Sequence, residues 1–407
     1  MMASEPTTTP IGMRRPRRRR GRELSGLLEA QLPFDPVLAI AAIGLTICSV
    51  VAISGATNGD SAYVSRQIAY GVVGIGVATV VSRFDYARLQ RYRWGLYGFM
   101  LASIVAVALF GSAVNGSTLS IDLKVFSFQA SELGKVLVAV SGAAVLVERS
   151  RAVDEWGTTL RMLAFLGLPA AMVVTSDLGS GLVYAAVGAG LLLIGGAPGR
   201  HLAIIGTTAL CGVIAVLGVL PAAGVDVLKP YQVARLTAFL HPNKHEHQVA
   251  GGIDPTYQLA QAKTAIGSGQ KTGRGDEATQ QKLGYLPENQ TDFIFASVGE
   301  RFGFMGAATI LSLYALIMWR GLRILSTARD FFGAVLAAGI LAMLLFEVLV
   351  NAGMNVGIMP ITGIPLPLVS YGGSSVLSTY LAIGLLQAIY AQGRAAARRG
   401  PTVARPD

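Results

Sequence analysis

Ten apolar stretches with few or no charges recur along this chain, most of them near the length that a helix needs to cross a lipid bilayer. They lie near Val37–Ser54, Gln67–Val81, Trp94–Ala113, Leu133–Val147, Leu163–Thr175, Gly179–Gly195, Leu202–Leu220, Phe293–Trp319, Phe332–Val356 and Ser374–Ala391. A helix needs about 20 apolar residues to span a hydrocarbon core of ~30 Å, whereas a soluble core of this size would show shorter, patterned segments. Composition agrees: 52% of the 407 residues are apolar and only 14% charged, against roughly 25% charged in soluble domains. The fold expected is all-α, a polytopic membrane protein with about ten transmembrane helices and one long extracytoplasmic loop. The fifth run is unusually short and breakable at Gly167, Pro169 and Asp177.

Charge sets the orientation. Residues 1–35 form a tail carrying Arg14, Arg15, Arg17, Arg18, Arg19, Arg20 and Arg22. The run that follows is long and no small-residue cleavage site clearly follows it, so it reads as an uncleaved first span. Arg83, Arg88, Arg91, Arg93, Arg149, Arg151, Arg161, Arg200, Arg320, Arg323, Arg329, Arg394, Arg398, Arg399 and Arg405 fall on the tail's side, while Arg66 and Lys124 are the chief cations of the opposite short loops. By the positive-inside rule both termini are cytoplasmic and residues 221–291 lie outside. The transmembrane domain covers 36–394, and 395–407 form a second cytoplasmic tail. The net charge of +10 is spread between apolar runs and not gathered on one soluble face, which disfavours nucleic acid as a partner. Cys48 and Cys211 fall inside apolar runs and read as small buried hydrophobes. No internal repeat stands out, which disfavours transporters built from paired repeats.

Ionisable residues at membrane depth are costly and therefore candidate functional groups. Glu132 and Lys135 share one helical face; their bland reading is an interfacial ion pair. Asp177 interrupts the fifth and sixth runs and Asp292 opens the eighth, and either could simply cap a helix. Glu347, inside the ninth run, has no partner that the sequence identifies. In the outer segment, Gly267 to Gly275 is glycine-rich, but Gln270 and Ala265 stand where a nucleotide-binding phosphate loop needs glycines. A backbone cradle for a diphosphate, aided by Lys271 and Arg274, remains open, as does a flexible tether. His241, His245 and His247 are close in sequence but lack the Cys or clustered carboxylates of a metal site, so none is assigned.

Two long motifs carry a resemblance. Leu286-Pro287-Glu288-Asn289-Gln290-Thr291-Asp292-Phe293-Ile294-Phe295-Ala296, followed by Gly299-Glu300 and Gly303, is one. Pro360-Ile361-Thr362-Gly363-Ile364-Pro365-Leu366-Pro367-Leu368-Val369-Ser370-Tyr371-Gly372-Gly373-Ser374-Ser375 is the other. Shorter ones are Gln129 to Lys135, Asp177-Leu178-Gly179, Tyr231-Gln232 with Arg235-Leu236, and Ala265 to Gly269. Together these resemble the SEDS family (shape, elongation, division and sporulation), with Asn351, Met354 and Asn289-Gln290 looking more like its RodA than its FtsW branch. The resemblance implies a ten-span glycosyltransferase that polymerises lipid II, the lipid-linked peptidoglycan precursor, during elongation and shape maintenance. A class B penicillin-binding protein is its implied partner and the inner membrane its location. It places the essential aspartate at Asp292 and the fourth-span pair at Glu132 and Lys135. The chain departs from the family at Leu119-Ser120, where Arg-Trp is usual, at Ala130 in place of Pro, and at Gln270 in place of a common Gly.

Glycan extension joins a sugar 4-hydroxyl to an anomeric carbon whose leaving group is a lipid diphosphate. It needs a base on the hydroxyl and positive charge on the phosphates. Asp292 is the expected base. Glu132, Lys135, Asp177, Arg235, Lys271, Arg274, Ser370 and Tyr371 are the expected substrate-binding residues, and a divalent cation, Mg or Mn, is the one cofactor this chemistry could use. The rival readings are a flippase for the same precursor, an FtsW-type division paralogue and an inactive scaffold.

Overall fold

The computed structural model describes residues 34–57, 59–114, 117–122, 127–219, 230–238 and 254–399. The basic tail before Phe34, Lys124, the three outer-loop histidines and the last eight residues lie outside the described residues. The main helices are α1 Pro36–Ala56, α2 Ser61–Ser82, α3 Arg93–Phe110, α4 Ala130–Glu148, α5 Trp156–Val174 and α6 Leu178–Gly195. They continue with α7 Gly199–Ile214, α8 Pro230–Thr237, α9 Pro255–Gly269, α10 Ile294–Ser326, α11 Phe331–Val356 and α12 Gly373–Arg399.

Among the described residues nine of these are long and apolar enough to cross a membrane, and α7 is a shorter apolar helix that runs on into a π-helical turn, Ala215–Val219. The bundle has two ends, one holding Asp35 and the other Asp292. Nearly every residue of α4 is buried, and α11 and α12 complete the centre with it. Helix α7, by contrast, buries only His201. Its outward Cys211 corrects the expectation of a buried thiol: the residue is exposed, and Cys48 is half-buried. In a bilayer such faces meet lipid, so an apolar run does not by itself mark a buried face.

Three features differ from the sequence-based expectations. Helix α5 is a full 19 residues, with Pro169 inside it, because proline is tolerated in a spanning helix whose neighbours re-satisfy the freed groups. Between α3 and α4 a small antiparallel sheet forms, β1 Ser112–Val114, β2 Ser117–Asp122 and β3 Ser127–Phe128, in that order. Helix α10 is 33 residues long but broken at Gly303 (φ 62°, ψ −158°). An unbroken helix of that length would measure about 50 Å, well over the hydrocarbon thickness. The break leaves residues 304–326 as the span and 294–302 as a buried stub at the Asp292 end.

The glycine-rich segment after α9 plugs this break. Gln270 and Lys271 present their carbonyls to the Phe304 and Met305 amides at 2.9 and 3.1 Å, and the Arg274 amide donates to the Glu300 carbonyl at 2.9 Å. The Phe304 and Met305 amides and the Glu300 carbonyl are groups of α10 that lose their helical partners at the interruption. Only glycine fits at 303, since a Cβ there would lie 2.4 Å from the Gly273 nitrogen.

The Asp35 end is closed by a buried network. Asp35 caps α1 by accepting from the Val37 and Leu38 amides at 3.0 Å each. Its other oxygen accepts from Arg320 Nε of α10 at 2.8 Å, while Gln387 of α12 donates to its carbonyl at 2.9 Å. Three helices distant in sequence are thus pinned at one point.

Candidate active site

At the opposite end, four successive carbonyls of the first long motif are each held, the middle two by the second motif. The Asn289 carbonyl accepts from Ser297 Oγ at 3.0 Å, that of Gln290 from the Tyr371 amide at 2.9 Å, and that of Thr291 from Ser370 Oγ at 2.6 Å. The Asp292 carbonyl accepts from Asn351 Nδ2 at 3.0 Å and Asn355 Nδ2 at 3.2 Å, both on α11. Asn351 also donates to the Ile364 carbonyl at 2.8 Å, and Asn355 Oδ1 accepts from the Ala296 amide at 3.0 Å. The main chain up to Asp292 is therefore fixed by both motifs and α11.

The Asp292 carboxyl takes no part in this lacing and is partly buried. The capping alternative does not hold: α10 begins after Phe293 with no side-chain cap. Gly363, at φ +75°, passes beside it, and a Cβ there would lie 3.4 Å from Asp292 Oδ2 and 3.3 Å from Arg235 Nη1. The carboxylate and the guanidinium thus converge on one point, with a residue between them that carries no side chain. Burial pushes the Asp292 carboxyl up to about 6; Arg235 draws it down, while Glu288 and Asp177 push it further up.

Asp177 is the helix cap that its position allowed, and it also ties α6 to the start of α4. Its Oδ1 caps α6 by accepting from the Ser180 amide at 3.0 Å, and its Oδ2 accepts from Gln129 Nε2 and Ser131 Oγ at 3.3 Å each. Gln129 in turn donates its amide to Ser374 Oγ at 3.0 Å, tying the start of α4 to the second motif.

Glu132 and Lys135 belong to a triad. Lys135 Nζ donates to Glu132 Oε1 at 2.8 Å and to Glu347 Oε1 at 2.5 Å. All three are at most 2% exposed, so Glu347 gains the partner that sequence could not name. The Lys135 ammonium is spent between two carboxylates, which is what a buried charge requires, and it is not presented to a ligand. The triad joins the site indirectly, since Asn351 lies one helical turn beyond Glu347.

Ser370 is buried, its hydroxyl accepting from the Leu366 amide at 2.8 Å besides donating to Thr291, so it positions the site. Tyr371 stacks its ring edge on Tyr63 of α2 at 5.0 Å. Lys271 and Arg274 are not brought to Asp292. They flank the α10 break, and roughly 15 Å of helix separates that break from the aspartate. Asn351 and Asn355, by contrast, are positioning residues that chemical reasoning from sequence passed over. Asparagines at i, i+4 in an apolar run were the available signal, because a lone amide in hydrocarbon must find partners.

The fold and site together define a multi-pass α-helical membrane protein built around a rigidly held carboxylate at one mouth of its bundle. The chain belongs to the FtsW/RodA/SpoVE family of cell cycle proteins, whose profile matches residues 31–395. It is 36% identical over 365 residues to a probable peptidoglycan glycosyltransferase FtsW of Thioalkalivibrio sulfidiphilus, covering 87% of each chain. To the peptidoglycan glycosyltransferase MrdB of Escherichia coli it is 31% identical over 359 residues, covering 88% of this chain and 93% of that one. Among solved structures, a chain of a peptidoglycan synthase complex that coordinates polymerization and crosslinking superposes with a TM-score of 0.73 at 27% identity, over 88% of this chain and 98% of that one. The rod shape determining protein RodA of Thermus thermophilus gives 0.64 at 25% identity, over 89% and 98%.

Proposed function

We propose that the chain is a peptidoglycan glycosyltransferase that polymerises lipid II, with Asp292 as its general base. The observation that carries this reading is the Asp292 carboxyl, held at the mouth of the bundle by its laced main chain and facing Arg235 across Gly363. In the ionised form it takes the proton of the acceptor sugar's 4-hydroxyl. The freed oxygen bonds to the anomeric carbon of the donor, the bond from that carbon to the lipid diphosphate breaks, and the carbon inverts. Arg235 meets the negative charge gathering on the departing diphosphate. Among the described residues no group of three or more His, Cys, Asp or Glu is arranged as a metal site.

The basic residues of the short connections collect at the Asp35 end, which supports a cytoplasmic placement of both termini in the bacterial inner membrane and an outward-facing Asp292. A cysteine at Gln280 should then react with an impermeant reagent from outside, and one at Ser326 should not. A class B penicillin-binding protein is the partner we assign, because a chain of this fold works within a complex that joins polymerization to crosslinking. FtsW relatives reach 36% identity against 31% for MrdB, a slight lean toward the FtsW branch and away from the RodA-like expectation.

Purified protein given lipid II should build glycan strands. The same protein in liposomes, moving lipid II between leaflets without building polymer, would instead make it a flippase.

A further inference from the structure

A groove of about 340 Å³ opens between the turn joining α1 to α2 and the segment that leads into Asp292. Asp60 and Tyr63 form one wall, and Pro287, Glu288, Asn289 and Gln290 form the other. It lies one turn upstream of the aspartate: the Thr291 and Phe293 amides both donate to the Glu288 carbonyl, at 3.2 and 3.1 Å. The groove and the site also share a support, since Tyr63 packs on the Tyr371 ring and the Tyr371 amide holds Gln290 in place.

The chemistry of the walls selects an occupant. Each carboxylate spends one oxygen on its own turn: Asp60 Oδ1 accepts from the Ala62 amide at 2.8 Å, and Glu288 Oε2 accepts from Thr291 Oγ1 at 2.9 Å. The second oxygen of each is an acceptor for a hydroxyl or an amide N–H. Two negative charges repel a diphosphate, so the occupant is an uncharged, donor-rich part of the substrate. A tyrosine ring and a proline ring supply flat apolar faces, and the volume is at the small end of ligand sites. Pyranose sugars bearing hydroxyl and acetamido groups meet each of these demands.

We infer that this groove is a saccharide subsite that holds a sugar of the growing glycan strand next to the reacting bond. The inference rests on the glycosyltransferase reading and deepens it. A strand gripped here stays with the enzyme between additions, so the subsite governs how long the glycans grow.

The test titrates purified full-length protein in detergent with chitotetraose, a neutral N-acetylglucosamine tetramer, and separately measures the length of glycans made from lipid II. Binding is expected for the parent protein, weakened tenfold or more in Tyr63→Ala and in Glu288→Gln, which keeps the bond from Thr291. Asp60→Asn keeps the helix cap, guards against a folding defect, and should shorten glycans threefold or more. No binding of chitotetraose by the parent, or unchanged affinity in the Tyr63 and Glu288 variants, overturns the subsite. So does an Asp60→Asn enzyme that makes glycans of parental length, or a set of variants that lose a partner protein and nothing else. A parent protein that makes no polymer at all sinks the glycosyltransferase reading, whereas parental polymer with unaffected length in every variant sinks only the groove.

Discussion

Asn351 donates its side-chain amide to the main-chain carbonyl of Asp292 at 3.0 Å, so the residue proposed as the base is positioned from near the C-terminal end of a different transmembrane helix. Asn351→Leu leaves the Ile364 carbonyl buried and without this donor, and a buried unsatisfied group costs about 1–3 kcal/mol. Lower thermal stability of that order is expected in detergent. Polymerisation should fall about tenfold or more through kcat, because displacement of a catalytic group by an ångström is costly. Parental kcat would mean that Asn355 alone sets the geometry.

The triad makes a sharper stability prediction. Lys135→Met removes the cation that two buried carboxylates share, and breaking such a pair costs about 3–5 kcal/mol. Adding Glu132→Gln and Glu347→Gln removes the stranded charges and should recover most of that loss. Thermal unfolding of the single and triple variants is the comparison; a triple variant as unstable as the single one would show that packing, and not charge, dominates.

The pH profile follows from the Asp292 carboxyl, whose burial holds it near 6. As the base it must be ionised, so kcat/KM should be full above that value and fall about tenfold per pH unit below it. The stability sign is opposite. A carboxyl raised on folding favours the protonated native state, so its contribution to stability is lost as pH rises from the unfolded value toward 6. A rate that is flat down to pH 5 would remove Asp292 from the proton transfer.

Gln270 has φ 47° and ψ −132° in the plug beside Gly303, a backbone that suits glycine and strains other residues by about 1–3 kcal/mol. Gln270→Gly should raise the melting temperature without affecting polymerisation, and Gly303→Ala should lower it by forcing the plug out. An unaltered melting temperature in Gln270→Gly would show that the strain is relieved elsewhere.

Hydropathy made most of the bundle readable, because a run of apolar residues in a membrane has few alternatives to a spanning helix. What it hid was pairing. Glu347 and Lys135 are separated by 212 positions, and Asp35 meets Arg320 and Gln387 from the far ends of the chain; no local pattern encodes such contacts. Gly303 was marked in the sequence only as part of a motif; the plug shows why a side chain cannot stand there. Lys271 and Arg274 were read as phosphate ligands from composition, yet the carbonyls and amides of that segment are committed to mending α10. Asp292 and Asp177 were legible as candidates because a charge at a membrane boundary has few idle roles, whereas Arg235 came only through the family resemblance.

The central claim is that the Asp292 carboxylate accepts a proton. Asparagine matches aspartate in shape but cannot do so, and the main-chain carbonyl that Asn351 and Asn355 hold is untouched by the change. Purified Asp292→Asn should therefore keep its melting temperature and its membrane level while lipid II polymerisation falls by roughly 10²-fold or more. Polymerisation by Asp292→Asn at near the parental rate would contradict the mechanism outright.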